Sequence, residues 1–183
     1  ILSFQCAWLL NYYPECWIAA FLDKEPESRK EAAISLAQKY GFAIENININ
    51  TSTTQWEISD DGKTLIQPFN SIKGLGDKAI EQIIENRPFE TVEDLLFNEN
   101  VLYSKLNKKA INVLCLSGAL DPLVDDRFNG CKHFWKSCVE SRPKNAKKLE
   151  ENIKEFSDEN DFLIEEKIDH VSSLTGIFPF NLV

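Results

Sequence analysis

The string "IKGLGDKAIEQII", residues 72–84, sets two glycines around one leucine and runs straight into a helical pattern. Glycines at 74 and 76 allow φ > 0 and let another backbone approach closely. A helix starting near Asp77 leaves its first N–H groups without partners inside the helix, at the positive end of its dipole. Phosphate suits such donors. Lys73 and Lys78 flank the loop and supply charge, and Leu75 is expected to tuck inward between two helices. A plain turn ahead of a helix is the simpler reading of the string by itself. It is not a dinucleotide fingerprint, because the third glycine is missing. It is not a P-loop, because G-x-x-x-x-G-K-[ST] is absent.

Other reactive side chains point to less. "CKHFWKSC" offers Cys131, His133 and Cys138, but their spacing is not a zinc pattern and no fourth ligand is evident. Buried thiols on an aromatic helix are the expectation. Asp60–Asp61 and Asp125–Asp126 are adjacent acids, which point apart on ordinary backbones and suit turns. With only two histidines, no Ser-His-Asp or Cys-His site is visible. No catalytic residue and no metal ligand is assigned.

The elements that must position the loop are mainly helical, with a small β insert. Residues 2–13 are apolar and read as a buried helix. Pro14 suits the first turn of a second helix reaching Leu22. Ser28 and Glu31 have capping-box spacing ahead of a helix ending at Gly41. Residues 42–53, 54–59 and 63–69 are extended, with a turn at Asp61–Gly62. Three such short strands must lean on helices. Ala79, Ile80, Ile83 and Ile84 form the stripe of a helix that stops before Pro88. Thr91 and Asn107 can cap helices over residues 92–97 and 108–116. Residues 127–140 and 161–174 are further helices, and 141–160 is a polar linker or an exposed helix.

Composition fits a soluble globular chain, at 43% hydrophobic and 27% charged. No apolar run approaches the roughly 20 residues of a membrane span, so no membrane partner is expected. Five cysteines without scaffold spacing read as free thiols in a reducing compartment. The absence of methionine and the apolar ends "ILSFQCAWLL" and "GIFPFNLV" suggest a piece of something larger. A net charge of −9 counts against simple electrostatic capture of nucleic acid, but it hides two blocks. Residues 127–148 carry seven basic residues against Glu140, and residues 149–169 carry nine acids against two lysines.

Five segments, in order, resemble one family. Residues 3–22, "SFQCAWLLNYYPECWIAAFL", are similar to "S-Y-Q-T-A-Y-L-K-x-x-Y-P-x-x-F-x-A-A-L-L" of the family C replicative DNA polymerases, the bacterial DNA polymerase III alpha subunits. "ININTSTTQWEI" resembles that family's "D-I-N-x-S-x-x-x-F", with Asn50, Ser52 and Trp56 at its spacing. Residues 71–96 resemble its "A-I-K-G-V-G" hairpin segment, and residues 106–123 its "N-K…G-A-F-D" segment. "EEKIDHVSSLTGIFPF" resembles its "E-x-E-x-L-G-x-Y-L-S-x-H-P", the weakest of the five. Leu10 stands where the family usually has lysine, which removes one basic contact.

The resemblance implies a mainly α fold with a small β insert (α+β). Residues 1–41 would be the helical end of the fingers and 42–70 a β connection. Residues 71–140 would form a helix-hairpin-helix domain, and 141–183 a polar linker and terminal helix leading toward an OB-fold domain. The loop becomes a hairpin whose amides grip a DNA phosphate without reading sequence. Carried over residue by residue, the DNA contacts are Lys73, Gly74, Leu75, Gly76 and Lys78, with Lys105, Lys108, Lys109 and Arg127 as weaker candidates. Arg87 is expected to pair with carboxylates. The palm aspartates and their magnesium would lie outside these residues, so no cofactor is expected here. Partners would be duplex DNA, the remaining polymerase domains and a sliding clamp, the last through "ENDFL" at residues 159–163, which lacks the family's glutamine. The place would be the cytoplasm of a bacterium or a phage-infected cell. Two alternatives remain at this point: a protein-interaction scaffold for a clamp or replisome subunit, and a helix-hairpin-helix module of a repair enzyme.

Overall fold

Two apolar cores, joined along the β insert and one late helix, organise the chain. The structure is a computed structural model that describes residues 1–179 and 182. Phe180, the last residue of the fifth resembling segment, lies outside the described residues, as do Asn181 and Val183.

Helices α1 (Leu2–Tyr12) and α2 (Pro14–Lys24) flank Tyr13, and Pro14 opens the second one as expected. The expectation that α1 is buried is not met. It has no buried residue, and Leu2, Phe4 and Tyr12 are 78%, 72% and 62% exposed. Its apolar residues run around the whole cylinder, so one neighbour cannot cover them, and its principal neighbour is α2. α2 buries Ile18 and Leu22 against Ala33, Ile34 and Ala37 of α3 (Lys30–Lys39). The Ser28–Glu31 capping box does not form. Pro26 starts a 3₁₀ turn over Glu27–Arg29, which places Ser28 inside that turn, and Arg29 becomes the uncapped N-cap of α3.

The insert has strands β1 (Ala43–Glu45), β2 (Glu57–Ile58) and β3 (Thr64–Ile66), in the order β1-β3-β2. β1 runs parallel to β3 with Ile44 opposite Leu65, and β2 runs antiparallel with Ile58 opposite the same Leu65. Asp61 staples the β2–β3 turn. Its carboxylate accepts from the Ser59 hydroxyl, from the Lys63 N–H at 2.8 Å and from the Thr64 N–H at 3.1 Å. Those donors, the Ser59 hydroxyl foremost, pull its pKa down to about 2. Leu65 and Trp56 pack on α2 and α3, so the insert does lean on helices.

The larger core gathers α4 (Asp77–Asn86), α5 (Val92–Leu96) and α6 (Lys108–Leu116) around Ile80, Ile83, Phe89, Leu95, Ile111 and Leu114. Thr91 caps α5 in a capping box with Asp94, and Asn107 caps α6 through the Ala110 N–H. The helix expected over 127–140 starts later. An Asp125–Phe128 turn and Gly130 come first, and α7 (Cys131–Phe134) runs on as a π-helix over Trp135–Glu140. Of the two alternatives for 141–160, residues 146–155 take the helix. Asn145 caps α8 (Ala146–Glu155), which buries Leu149 and Asn152 against the same core. α9 (Ile164–Thr175) closes at Gly176, whose φ is +69°.

The Asn50, Ser52 and Trp56 segment is a set of staples. The Asn50 amide exchanges hydrogen bonds of 2.8 Å with the N–H and carbonyl of Phe89. The fully buried Ser52 hydroxyl accepts the Asn48 N–H, and the Trp56 N–H donates to Asp23. Arg87 was expected to pair with carboxylates; its guanidinium instead donates to the Ser52 carbonyl at 2.6 Å, since the turn brings a bare carbonyl rather than an acid beside it.

Candidate nucleic-acid interface

Ile72 is buried and Leu75 half-buried against the larger core, which pins the hairpin on both sides of Gly74. Gly74 has φ +87°, a conformation that other L-residues adopt only under strain. Gly76 has φ −85° and ψ 155°, open to any residue, and it is the N-cap of α4. Leu75 does not sit between two α-helices. The element ahead of the hairpin is a three-residue 3₁₀ turn, Phe69–Ser71, which Pro68 precedes and the extended backbone of Ile72 ends.

The start of α4 differs from its neighbours. α5, α6 and α8 carry Thr91, Asn107 and Asn145, whose side chains accept from the first turn. Gly76 has no side chain to do this. The N–H groups of Gly74, Gly76, Asp77 and Lys78 find no acceptor among the described residues. A Cβ built on Gly76 would meet nothing within 4 Å, so the approach to these donors is open. A hydrogen bond from such a donor to an anion is worth about 1.5–3 kcal/mol.

The charge around the donors comes from two elements. Lys78, Lys105 and Lys109 are exposed and make no ion pair among the described residues. Lys109 lies beside the hairpin: a Cβ on Gly74 would be 4.0 Å from its Cε and 3.8 Å from Val113 Cγ1. Lys73 is engaged, with its Nζ 2.8 Å from Glu27 Oε1. That lysine holds the Glu27 carboxyl below the usual range. Asp77 on the first turn of α4 adds one opposing charge.

Residues 41–129 match the family described as the helix-hairpin-helix motif, a span that takes in the hairpin and α4 to α6. The chain is 30% identical over 129 residues to a DNA polymerase III subunit alpha of Pseudomonas aeruginosa, with 67% of this chain and 11% of the relative covered. To those of Pseudomonas fluorescens and Escherichia coli K12 it is 29% identical over 126 and 133 residues, covering 67% and 69% of this chain and 11% of each relative. The chain is homologous to a segment of the DNA polymerase III alpha subunit. It spans about 11% of the length of these curated relatives.

Within the alpha-subunit-like chain, the remaining sequence candidates have other attachments. Lys108 Nζ donates to the Glu140 carbonyl at 2.6 Å, where the π-helix ends. Arg127 is clasped by Glu93 and Asp125, with Nη1 to Glu93 Oε1 at 2.5 Å and Nη2 to Asp125 Oδ2 at 2.8 Å. The guanidinium is therefore spent within the protein. The basic block that contains it folds back on the acidic block: Lys136 pairs with Glu159, and the Lys132 N–H donates to Asp161 at 3.0 Å. Arg142 lies over the Tyr103 ring at 4.1 Å.

The Arg127 clasp predicts a pH response. Arg127 holds the Glu93 and Asp125 carboxyls below their usual range. Their stabilising effect is full above the unfolded-state values and is lost as pH falls through the depressed folded values. For this half-exposed network about 1 kcal/mol is expected. Urea midpoints of the native chain should therefore fall more steeply below about pH 4.5 than those of Glu93→Gln. Parallel curves for the two would remove the clasp as a stabilising unit.

The thiol–imidazole string is structural. His133 is buried, its Nδ1 accepting the Asn129 N–H at 3.0 Å and its Nε2 bonded to the Ile153 carbonyl at 2.8 Å. Both ring nitrogens are occupied, which leaves no lone pair for a metal. Burial pushes the Cys138 thiol up, which suits an inert thiol. Among the described residues no group of three or more His, Cys, Asp or Glu is placed to hold a metal. In "ENDFL", Phe162 lies edge-on to His170 at 5.1 Å and Asp161 is bonded to Lys167, while Leu163 is exposed.

Sequence reasoning ranked Lys109 below Lys73, and the packing of α6 on Gly74 reverses that order. It did not single out Glu27 or Leu174, whose carbonyl accepts the Lys73 N–H at 2.7 Å. Nothing in a linear reading joins residues 27, 73 and 174.

Proposed function

We propose that the chain is a non-catalytic, DNA-contacting region of a replicative DNA polymerase. It holds the phosphates of duplex DNA without reading sequence, through the amides of Gly74, Gly76, Asp77 and Lys78. Lys78 and Lys109 supply the nearest charge, the exposed Lys105 is a further candidate, and Lys73 joins once a phosphate draws it from Glu27. Arg127 and Lys108 take no part. The observation that carries this reading is the uncapped start of α4 beside two unpaired lysines. The helix-hairpin-helix match and the alpha-subunit homology support DNA as the source of the phosphate. Nucleotidyl transfer and its magnesium would belong to the palm of the parent enzyme, in the cytoplasm.

The test is duplex binding across a salt series. A hairpin that neutralises about 2 to 3 phosphates gives a slope of log K against log salt of roughly −2 to −3. Duplexes of unrelated sequence should bind alike. A strong sequence preference, or binding indifferent to salt, would overturn the proposal.

The exposed apolar residues of α1 favour a second, compatible role on a separate surface, contact with further polypeptide. For a sliding clamp, "ENDFL" offers Leu163 as its exposed apolar anchor, because Phe162 is half-buried with its ring edge-on to His170.

A further inference from the structure

The hairpin's own turn is loose. Its internal bond, from the Leu75 N–H to the Ile72 carbonyl, is 3.4 Å long. The short bond at its base comes from far along the chain: the Lys73 N–H donates to the Leu174 carbonyl at 2.7 Å. Leu174 lies in the last turn of α9, outside the residues that match the helix-hairpin-helix family.

That turn is itself firmly placed. Leu174 packs on the larger core and Ile177 is buried in the smaller one, so the end of α9 bridges the two. The Thr175 hydroxyl donates to the Val171 carbonyl at 2.7 Å and accepts the Ile177 N–H. Gly176 turns the chain in the left-handed region and donates its N–H to the Ser172 carbonyl at 2.9 Å. Glu27 closes the group from the other side. Its Oε1 is 2.8 Å from Lys73 Nζ and would be 3.3 Å from a Cβ on Gly176. Lys73 is thus held by its backbone to α9 and by its side chain to Glu27.

We propose that the Leu174–Gly176 turn of α9 is the positioning element of the phosphate-binding hairpin, fixing Lys73 and through it the direction of the amides that follow. The inference rests on the reading of the hairpin as a phosphate site. It assigns a role in DNA binding to a helix that carries no DNA contact itself. Positioning differs from charge in its signature: loss of α9 contact lowers affinity and leaves the number of neutralised phosphates, hence the salt slope, unchanged.

The experiment uses the full chain with Gly176→Val and Gly176→Asn. Valine resists the left-handed region, whereas asparagine tolerates it, and the exposed Glu27 side chain can move from either. Amide exchange without DNA is read at Lys73, and affinity for a duplex of arbitrary sequence is read across salt. Gly176→Val should speed Lys73 exchange about tenfold and weaken duplex binding about three- to tenfold at unchanged slope. Gly176→Asn should keep both near native. Unchanged Lys73 exchange in Gly176→Val, or an altered salt slope, overturns the proposal. If the valine variant does not fold, the native chain decides. Lys73 and Gly176 amides exchanging through one opening, with the same denaturant dependence, support it, and separate openings overturn it. Should the native chain fail to bind duplex, the functional reading falls while the exchange arm still tests the coupling.

Discussion

Gly76→Val should weaken duplex binding by about tenfold to a hundredfold, equivalent to losing one charge-assisted hydrogen bond of about 1.5–3 kcal/mol. The fold should survive. Gly76 has φ −85°, which valine adopts freely, and its Cβ would meet no atom within 4 Å. The cost in stability is that of a poorer N-cap, about 1 kcal/mol or less. The new methyl groups would stand where a phosphate must come to reach the N–H groups of Gly76 and Asp77. Gly74→Val is a poor substitute for this test, since φ +87° would strain the backbone by about 1–3 kcal/mol and mix folding with binding. Fluorescence anisotropy with a labelled duplex, beside a urea curve, separates the two quantities. Native affinity in a folded Gly76→Val chain would mean that DNA, if bound, is bound elsewhere.

Much of the hairpin was legible because its cues are local. A glycine pair, a helix stripe at Ala79, Ile80 and Ile83, and the capping residues Thr91 and Asn107 each act within a few residues, and each fixes an element that the structure contains. Family order added the helix-hairpin-helix assignment, which spacing alone left beside a plain turn. The misreadings are non-local. α1 is as apolar as a core helix, but apolarity says only that cover is needed, not that this chain supplies it. Arg127 was a weaker phosphate candidate, and its clasp was only half visible: Asp125 stands two residues away, but Glu93 is 34 residues away, as Glu159 is 23 residues from Lys136. The polar run at 141–160 left a linker and a helix open; the helix that forms is amphipathic, its two buried side chains, Leu149 and Asn152, spaced for one face. Lys73 showed the same effect in reverse. Its neighbours in sequence suggested a free cation, and the fold brought Glu27 to it.

Phe134→Ala should cost about 3–5 kcal/mol of unfolding free energy, a large share of the roughly 5–15 kcal/mol that holds a domain together. Phe134 is fully buried and meets Phe128 edge-to-face, with ring centroids 5.0 Å apart. Truncation there removes a whole ring from a core that continues through Ile80 and Ile83, the underside of the helix whose first turn carries the amide donors. Phe134 lies beyond the residues that match the helix-hairpin-helix family, as do Cys138, Val139 and Leu149 of the same core. The motif therefore borrows its stability from α7 and α8, and a fragment ending at residue 129 should not fold by itself. Urea unfolding of the native and Phe134→Ala chains measures the effect directly. A loss below about 1 kcal/mol, the range of ordinary surface substitutions, would show that α7 is an appendage and that residues 41–129 carry their own core. At temperatures where Phe134→Ala remains folded, its affinity for duplex should stay near native, because the ring is buried in the shared core, whereas the approach to the donors at Gly76 is open.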